Sequence, residues 1–139
     1  MNIRDLKQKA EAGSAAAQCV LGVCYLDGLD VDADYSEAFR LLSAAAAQGA
    51  SRAVLNLARI HAKGLGVRVD VQAAIRLYEA VGSVEFLAAI ELGRIYSLAL
   101  GVTPDPETAA NWYRVAATLG EAGSDEMMRE ALHYLDRAK

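Results

Sequence analysis

The chain is short of most things that chemistry at an active site draws on. It has two histidines and two cysteines in 139 residues, and aromatic residues make up only 6%. Cys19 and Cys24 lie five apart in an apolar segment that reads as one helix, so their side chains point to different sides and cannot bridge each other. Both read as packed, reduced thiols. Only two prolines are present, Pro104 and Pro106, so rigid breaks are rare, whereas eleven glycines punctuate the chain at intervals. No stretch approaches the about 18 uncharged apolar residues of a membrane span, and Met1 to Lys7 contains no apolar signal-peptide core. Basic excess is missing too: the formal charge is −4, which argues against binding nucleic acid, where phosphates demand a dominant cationic field. These absences point to a cytoplasmic protein without membrane or nucleic-acid partners.

What is abundant is alanine and leucine. Apolar residues reach 54%, and this length suffices for a continuous core without disulfides or metals. The sequence also repeats itself. Gly13, Ala17, Leu21, Gly22, Tyr25, Gly28, Val31, Asp34, Ala38 and Leu41 recur 36 residues later as Gly49, Ala53, Leu57, Ala58, His61, Gly64, Val67, Asp70, Ala74 and Leu77. A further shift of 35 reaches Ala88, Leu92, Gly93, Tyr96, Val102, Asp105, Ala109 and Trp112. Such self-similarity decides the architecture before any motif does.

Each repeat position has a physical sense. Ala17, Leu21 and Tyr25 follow i, i+4, i+8, one face of a helix, helix A, and Gly22 lets a neighbouring helix approach closely. Gly28, Gly64 and Gly101 supply a flexible turn, with Ala99 replacing the first turn glycine of the third repeat. Asp34, Asp70 and Asp105 stand where an N-cap oxygen meets helix B. Asp34 with Glu37 has capping-box spacing, and Pro106 follows Asp105 at the first helical position. Ser14, Ser51 and Ser124 offer caps for the A helices. Two short helices cannot bury both faces alone, so successive pairs are expected to stack into a right-handed arc.

The spacing G-x3-A-x3-L-G-x2-Y, continued by G-x-G-V-x2-D at Gly64, Gly66, Val67 and Asp70, resembles the Sel-one-like repeat, a relative of the tetratricopeptide repeat whose period is about 34. The resemblance implies an all-α, α/α superhelical solenoid and a role in holding other proteins. Residues 1–139 are expected to form one domain, with repeats at 13–48, 49–83 and 84–120 and a C-terminal capping helix at 124–139. Met1 to Ala12 is expected to cap the other end. In the second block the ending becomes Ala80, Val81, Gly82 and Ser83, so its helix B is expected to stop about a turn early and the third helix A to start earlier.

Constellations that would carry chemistry fail on inspection. Asp30, Asp32 and Asp34 open like a calcium loop, but Tyr35 stands where the sixth-position glycine is needed and Leu41 where the twelfth-position glutamate would chelate. A zinc site on Cys19 and Cys24 lacks nearby histidines, since His61 takes the repeat's tyrosine slot and His133 lies on the last helix. Some cysteine-rich relatives are associated with β-lactam binding and hydrolysis, yet no serine here precedes a lysine by three, and those proteins' paired cysteines are missing. No metal, cofactor or catalytic residue is expected.

By analogy with tetratricopeptide repeats, the A helices line a concave groove. The face opposite Ala17, Leu21 and Tyr25 carries Ala16, Cys19, Val23, Leu26 and Asp27; the second repeat offers Arg52, Leu55, Arg59, Ala62 and Lys63, and the third Leu87, Ile90, Arg94, Ser97 and Leu98. The candidate partner-binding residues are Cys19, Val23, Leu26, Arg52, Leu55, Arg59, Lys63, Leu87, Ile90, Arg94 and Leu98. This strip sets four cations against Asp27 alone and suits a partner segment with apolar anchors and carboxylates. Helix A of repeats one and three is apolar nearly all round, so something is expected to cover it. Arg59 and Arg94 share one repeat position and are expected to face the same channel. The alternatives are an inhibitor or immunity-type protein, a homodimer through the same strip, arginines that pair with local glutamates such as Glu91, and, less favoured, a hydrolase.

Overall fold

The computed structural model describes residues 2–120 and 124–138, so the outermost residues of both expected caps fall outside it. The described residues form eight α-helices and no strands: α1 (Ile3–Glu11), α2 (Ala15–Asp27), α3 (Tyr35–Ala47), α4 (Ser51–Lys63), α5 (Val71–Val81), α6 (Phe86–Ser97), α7 (Pro106–Leu119) and α8 (Asp125–Arg137). The A helices are α2, α4 and α6, and the B helices are α3, α5 and α7. Among the described residues no helix is long and apolar enough to cross a membrane. Two compact units emerge, residues 1–74 and 75–139.

In the first unit α2 packs against α1, α3 and α4. Gly22 is what allows α3 so close, because a Cβ there would sit 2.7 Å from Leu42 Cγ. A polar clasp closes the other end of the pair. Gln18 Nε2 donates to Ala10 O at 3.1 Å, while Gln48 Nε2 donates to Gln18 Oε1 at 2.9 Å and to Gly13 O at 3.0 Å. The buried amide is thereby satisfied by backbone and by a second amide.

In the second unit α6 packs on α7, and α8 packs on both. Gly93 repeats the role of Gly22, with Tyr113 Cε1 2.7 Å from its would-be Cβ. Gly82 is needed for the same reason, since the Trp112 ring fills the space beside it, 2.5 Å from a would-be Cβ. The irregular end of the second repeat is therefore a seat for Trp112. α5 has 11 residues against 13 in α3 and 14 in α7, the early stop expected from its sequence. α6 does not start early: Phe86 lies 35 residues after Ser51, the first residue of α4, and is in register.

The junction from helix A to helix B is the same in all three repeats. Asp34 Oδ1 accepts from Glu37 N at 3.1 Å, Asp70 Oδ1 from Ala73 N at 3.0 Å and Asp105 Oδ1 from Thr108 N at 3.1 Å. Each cap is worth about 1 kcal/mol. The backbone N–H of each of these aspartates is also used, donating to Tyr25 O, His61 O and Tyr96 O at 2.9, 2.9 and 3.1 Å. That bond explains why Asp34 and Glu37 form no reciprocal capping box. The N–H that Glu37 would accept from is already taken, and Glu37 pairs with Arg40 instead. Of the A-helix serines only Ser14 caps, through Ala17 N at 3.2 Å; Ser51 lies inside α4, and Ser124 makes no side-chain cap bond.

Each turn uses two left-handed positions. Gly28 and Gly64 hold φ +68° and +69°, and the third repeat places Ala99 there at +55°. Ala99 thus stands in for the first turn glycine as its sequence position indicates, and Gly101 takes the second position, matching Gly66 and Asp30. A left-handed alanine costs about 1–2 kcal/mol, of which the greater unfolded-state freedom of glycine cancels about 0.4–1 kcal/mol. Ala99→Gly is accordingly expected to stabilise the protein by about 0.5–1 kcal/mol, read as a higher denaturant midpoint at unchanged slope. A lower midpoint would mean that the alanine side chain makes compensating contacts.

Candidate partner-binding surface

α4 shows how its sequence sorts a helix into inside and outside. Ala53, Leu57, Ala58 and Ile60 are buried. Arg52, Arg59 and Lys63 are spaced seven and four apart, which places all three within about 40° of one line along the helix over a length of about 16 Å. Arg52 and Lys63 are exposed, and Arg59 is half-buried. Between them Asn56 Nδ2 donates to Arg52 O at 2.8 Å, and its Oδ1 accepts from Arg59 Nη1 at 2.7 Å, which fixes the middle guanidinium. Asp27 at the end of α2 approaches Arg59 Nη2 at 3.6 Å, a long ion pair with both side chains partly in water. Val23 of α2 stands one repeat before Arg59 and is half-buried.

The expected apolar floor is largely interior. Cys19, Leu26, Leu55 and Ile90 are 8%, 5%, 2% and 0% exposed, while Leu87 is half-buried and Leu98 is exposed. The reason lies in how many neighbours an A helix has. α2 touches three helices and α6 is wrapped by α7 and α8, so apolar side chains are needed around most of the circumference. What covers α6 is the chain's own last helix. Phe86, Ala89 and Ile90 form one cluster with Tyr113, Ala116 and Ala131, against which Leu87, Met127, Met128, Tyr134 and Leu135 pack.

Arg94 is likewise engaged within the second unit. Its Nε and Nη2 donate to Glu130 Oε2 and Oε1 at 2.8 and 2.7 Å, the paired hydrogen bonds the sequence reserves for a partner's carboxylate, and its Nη1 donates to Glu91 Oε1 at 2.7 Å. Tyr113 Oη donates to Glu130 Oε2 at 3.2 Å. The hydrogen bonds from Arg94 hold the Glu130 carboxyl below the usual glutamate range, and burial pushes the Tyr113 phenol up. Glu130 and Tyr113 are not among the residues that the sequence singles out. A signal was present, since Glu130 lies 36 residues after Arg94, one more step of the same repeat.

Nucleophilic chemistry finds little here. Neither cysteine forms a disulfide, and burial, then the charges of Asp30 and Asp27, push the Cys24 thiol up, away from the reactive thiolate. Among the described residues no three His, Cys, Asp or Glu side chains gather as metal ligands. The Asp34 oxygen of the calcium-like run caps α3, and Asp30 takes a left-handed turn position.

A family model described as Sel1 repeat matches residues 15–49, 51–80 and 87–121. The chain belongs to the Sel1 repeat family. Its second match ends at residue 80, next to the end of α5, and the A-to-B junction of Asp34, Asp70 and Asp105 recurs in each copy. Among solved structures, a Sel1 repeat protein from Oxalobacter formigenes is 33% identical, covers 97% of each chain and superposes with a TM-score of 0.75. A protective antigen present in uropathogenic Escherichia coli strains and displaying an SLR fold is 30% identical, with a TM-score of 0.79 over 99% of this chain. This chain spans 33% of that protein's length. The fold is thus an all-α helical repeat solenoid, and Sel1 repeats generally mediate protein–protein interaction and are typically non-catalytic.

Proposed function

We propose that this Sel1 repeat protein is a non-enzymatic adaptor that holds an acidic segment of a partner protein along α4. The observation that carries the reading is the cationic line of Arg52, Arg59 and Lys63 in a chain whose net charge is −4. Arg59 is preset by Asn56, and Arg52 and Lys63 at the two ends of the line are exposed. Val23 beside the line offers apolar surface for an anchor. The expected binding side, the A helices, is kept in this proposal, while its apolar contribution in the first unit moves to Val23, which is not buried. Residues 1–139 act as one functional domain, and two cysteines outside any disulfide support a cytoplasmic setting.

A glutamate-rich helical peptide labelled for fluorescence anisotropy, with its glutamine counterpart as control, tests the reading. Wild type is expected to prefer the glutamate peptide, and more weakly as salt rises. Arg52→Glu with Lys63→Glu is expected to lower that affinity about tenfold, the sum of two exposed charge contacts of up to about 1 kcal/mol each. Thermal stability should change little, because both side chains are exposed and exposed charge contacts contribute little to stability. Equal affinity for both peptides, or binding that the double reversal leaves intact, would remove α4 as the site.

A further inference from the structure

The two terminal helices carry repeat register of their own. Ser124, Met128 and Leu132 of α8 fall 36 residues after Ala88, Leu92 and Tyr96, so α8 is a fourth helix of the A type. Leu6 and Ala10 of α1 fall 35 residues before Leu41 and Ala45 of α3, so α1 is of the B type. Among the described residues the first helix is thus of the B type and the last of the A type.

Apolar surface is exposed at both α8 and α2. Leu132 is 51% exposed, whereas Tyr25, His61 and Tyr96, its counterparts, are half-buried. Val20 on α2 is 40% exposed, whereas Asn56, one repeat on, is 5% exposed. Between α1 and α2 runs a groove of about 390 Å³ with Leu6, Ala16, Ala17 and Val20 as its apolar part and Asp5 and Lys9 beside it. The two helices also differ in charge: α1 carries three basic and two acidic side chains, and α8 carries two basic and four acidic ones. The longer antigen, of which this fold is one third, places the same architecture within a larger chain.

We propose that a second copy of this chain occupies the groove, with α8 of one molecule seating Leu132 against α1 and α2 of the next, so that an A helix and a B helix from different molecules complete a repeat. The contact joins unlike surfaces, so a pair of molecules still has one surface of each kind available. Attraction between acidic α8 and basic α1 steers the encounter, and burial of Leu132 and Val20 holds it. This association does not use the α4 line, and failure of either reading leaves the other standing.

Sedimentation velocity across a concentration series tests it with two exposed substitutions, Leu132→Glu and Val20→Glu. The wild-type mass is expected to rise with concentration, and each variant alone to remain monomeric with wild-type helicity. An equimolar mixture of the two is expected to form a one-to-one dimer and nothing larger, because each variant retains the surface the other lost. A wild type that stays monomeric, variants that associate as wild type does, or a mixture that stays monomeric would overturn the proposal. Should either glutamate disturb helicity, Leu132→Ser and Lys9→Glu replace the pair, with weakened association expected for each and unchanged association overturning the proposal.

Discussion

Leu92→Ala is expected to lower the unfolding free energy by about 2–5 kcal/mol, the range for emptying a core position that cannot collapse. Leu21, Leu57 and Leu92 occupy one repeat position and are 3%, 9% and 0% exposed. The residue after Leu92 is Gly93, pressed against the Tyr113 ring, so α6 has little freedom to move inward and fill the space. Leu57 is followed by Ala58 and is slightly more accessible, which places Leu57→Ala toward the lower end of the same range. Denaturant unfolding checks both. The order matters as much as the size: a Leu57→Ala loss larger than that of Leu92→Ala would mean that the cavity term does not follow burial here, and wild-type stability in either variant would mean that the repeat register is misassigned.

That register was legible because it is written in local chemistry. An aspartate before a helix, an i, i+4, i+8 apolar face and a small residue where two helices touch each act over a few residues, so Asp34, Asp70, Asp105, Leu21, Leu57, Leu92, Gly22 and Gly93 could be placed from spacing alone. Position within helix B was harder. The repeat marks Leu41, Leu77 and Trp112, yet Leu77 and Trp112 are half-buried, and the deeper side chains are their neighbours Leu42, Tyr78 and Tyr113, at 0%, 1% and 2% exposure. Adjacent residues on a helix lie about 100° apart, and which of the two points inward depends on packing that spacing does not encode.

The candidate site was less legible still, because charge pairing is decided by groups distant in sequence. Four basic residues counted along the A helices read as an open cationic channel. Glu130 and Glu91 neutralise Arg94, and Asp27 reaches Arg59, pairings that spacing along the A helices does not show. The glycine of the second repeat's ending was legible as a helix stop but not as a seat for Trp112, a contact across 30 residues of sequence.

The same pairing separates two arginines that the repeat treats as equals. Arg59→Glu is expected to cost less than Arg94→Glu, because its ion pair with Asp27 is 3.6 Å long and its one hydrogen bond at 2.7 Å is to the neutral amide of Asn56. Arg94→Glu sets a third carboxylate beside Glu91 and Glu130 and removes three hydrogen bonds, one of them to α6 itself and two to α8. Hydrogen bonds between charged groups contribute about 1.5–3 kcal/mol each when buried. Arg94, Glu91 and Glu130 are about a third exposed, and solvent screening reduces the expected total to about 2 kcal/mol. The loss is carried by the docking of α8, so exposure of the α8 side of the Phe86, Ile90 and Tyr113 cluster should accompany it, seen as faster hydrogen exchange in α8. The pH dependence has a definite sign. Glu130 is held below its ordinary value by Arg94, so its stabilising share is fully present above the unfolded glutamate range, about 4.3, and is lost as pH falls through the lowered folded value. Glu130→Gln should therefore be less stable than wild type at neutral pH and converge with it in acid. The reciprocal exchange, Arg94→Glu with Glu130→Arg, should recover part of the loss, since it restores a charge pair across the same two helices. Equal losses for Arg59→Glu and Arg94→Glu would show that α8 is held by its apolar face alone, and a Glu130→Gln deficit that persists unchanged in acid would show that the loss does not come from the Glu130 charge.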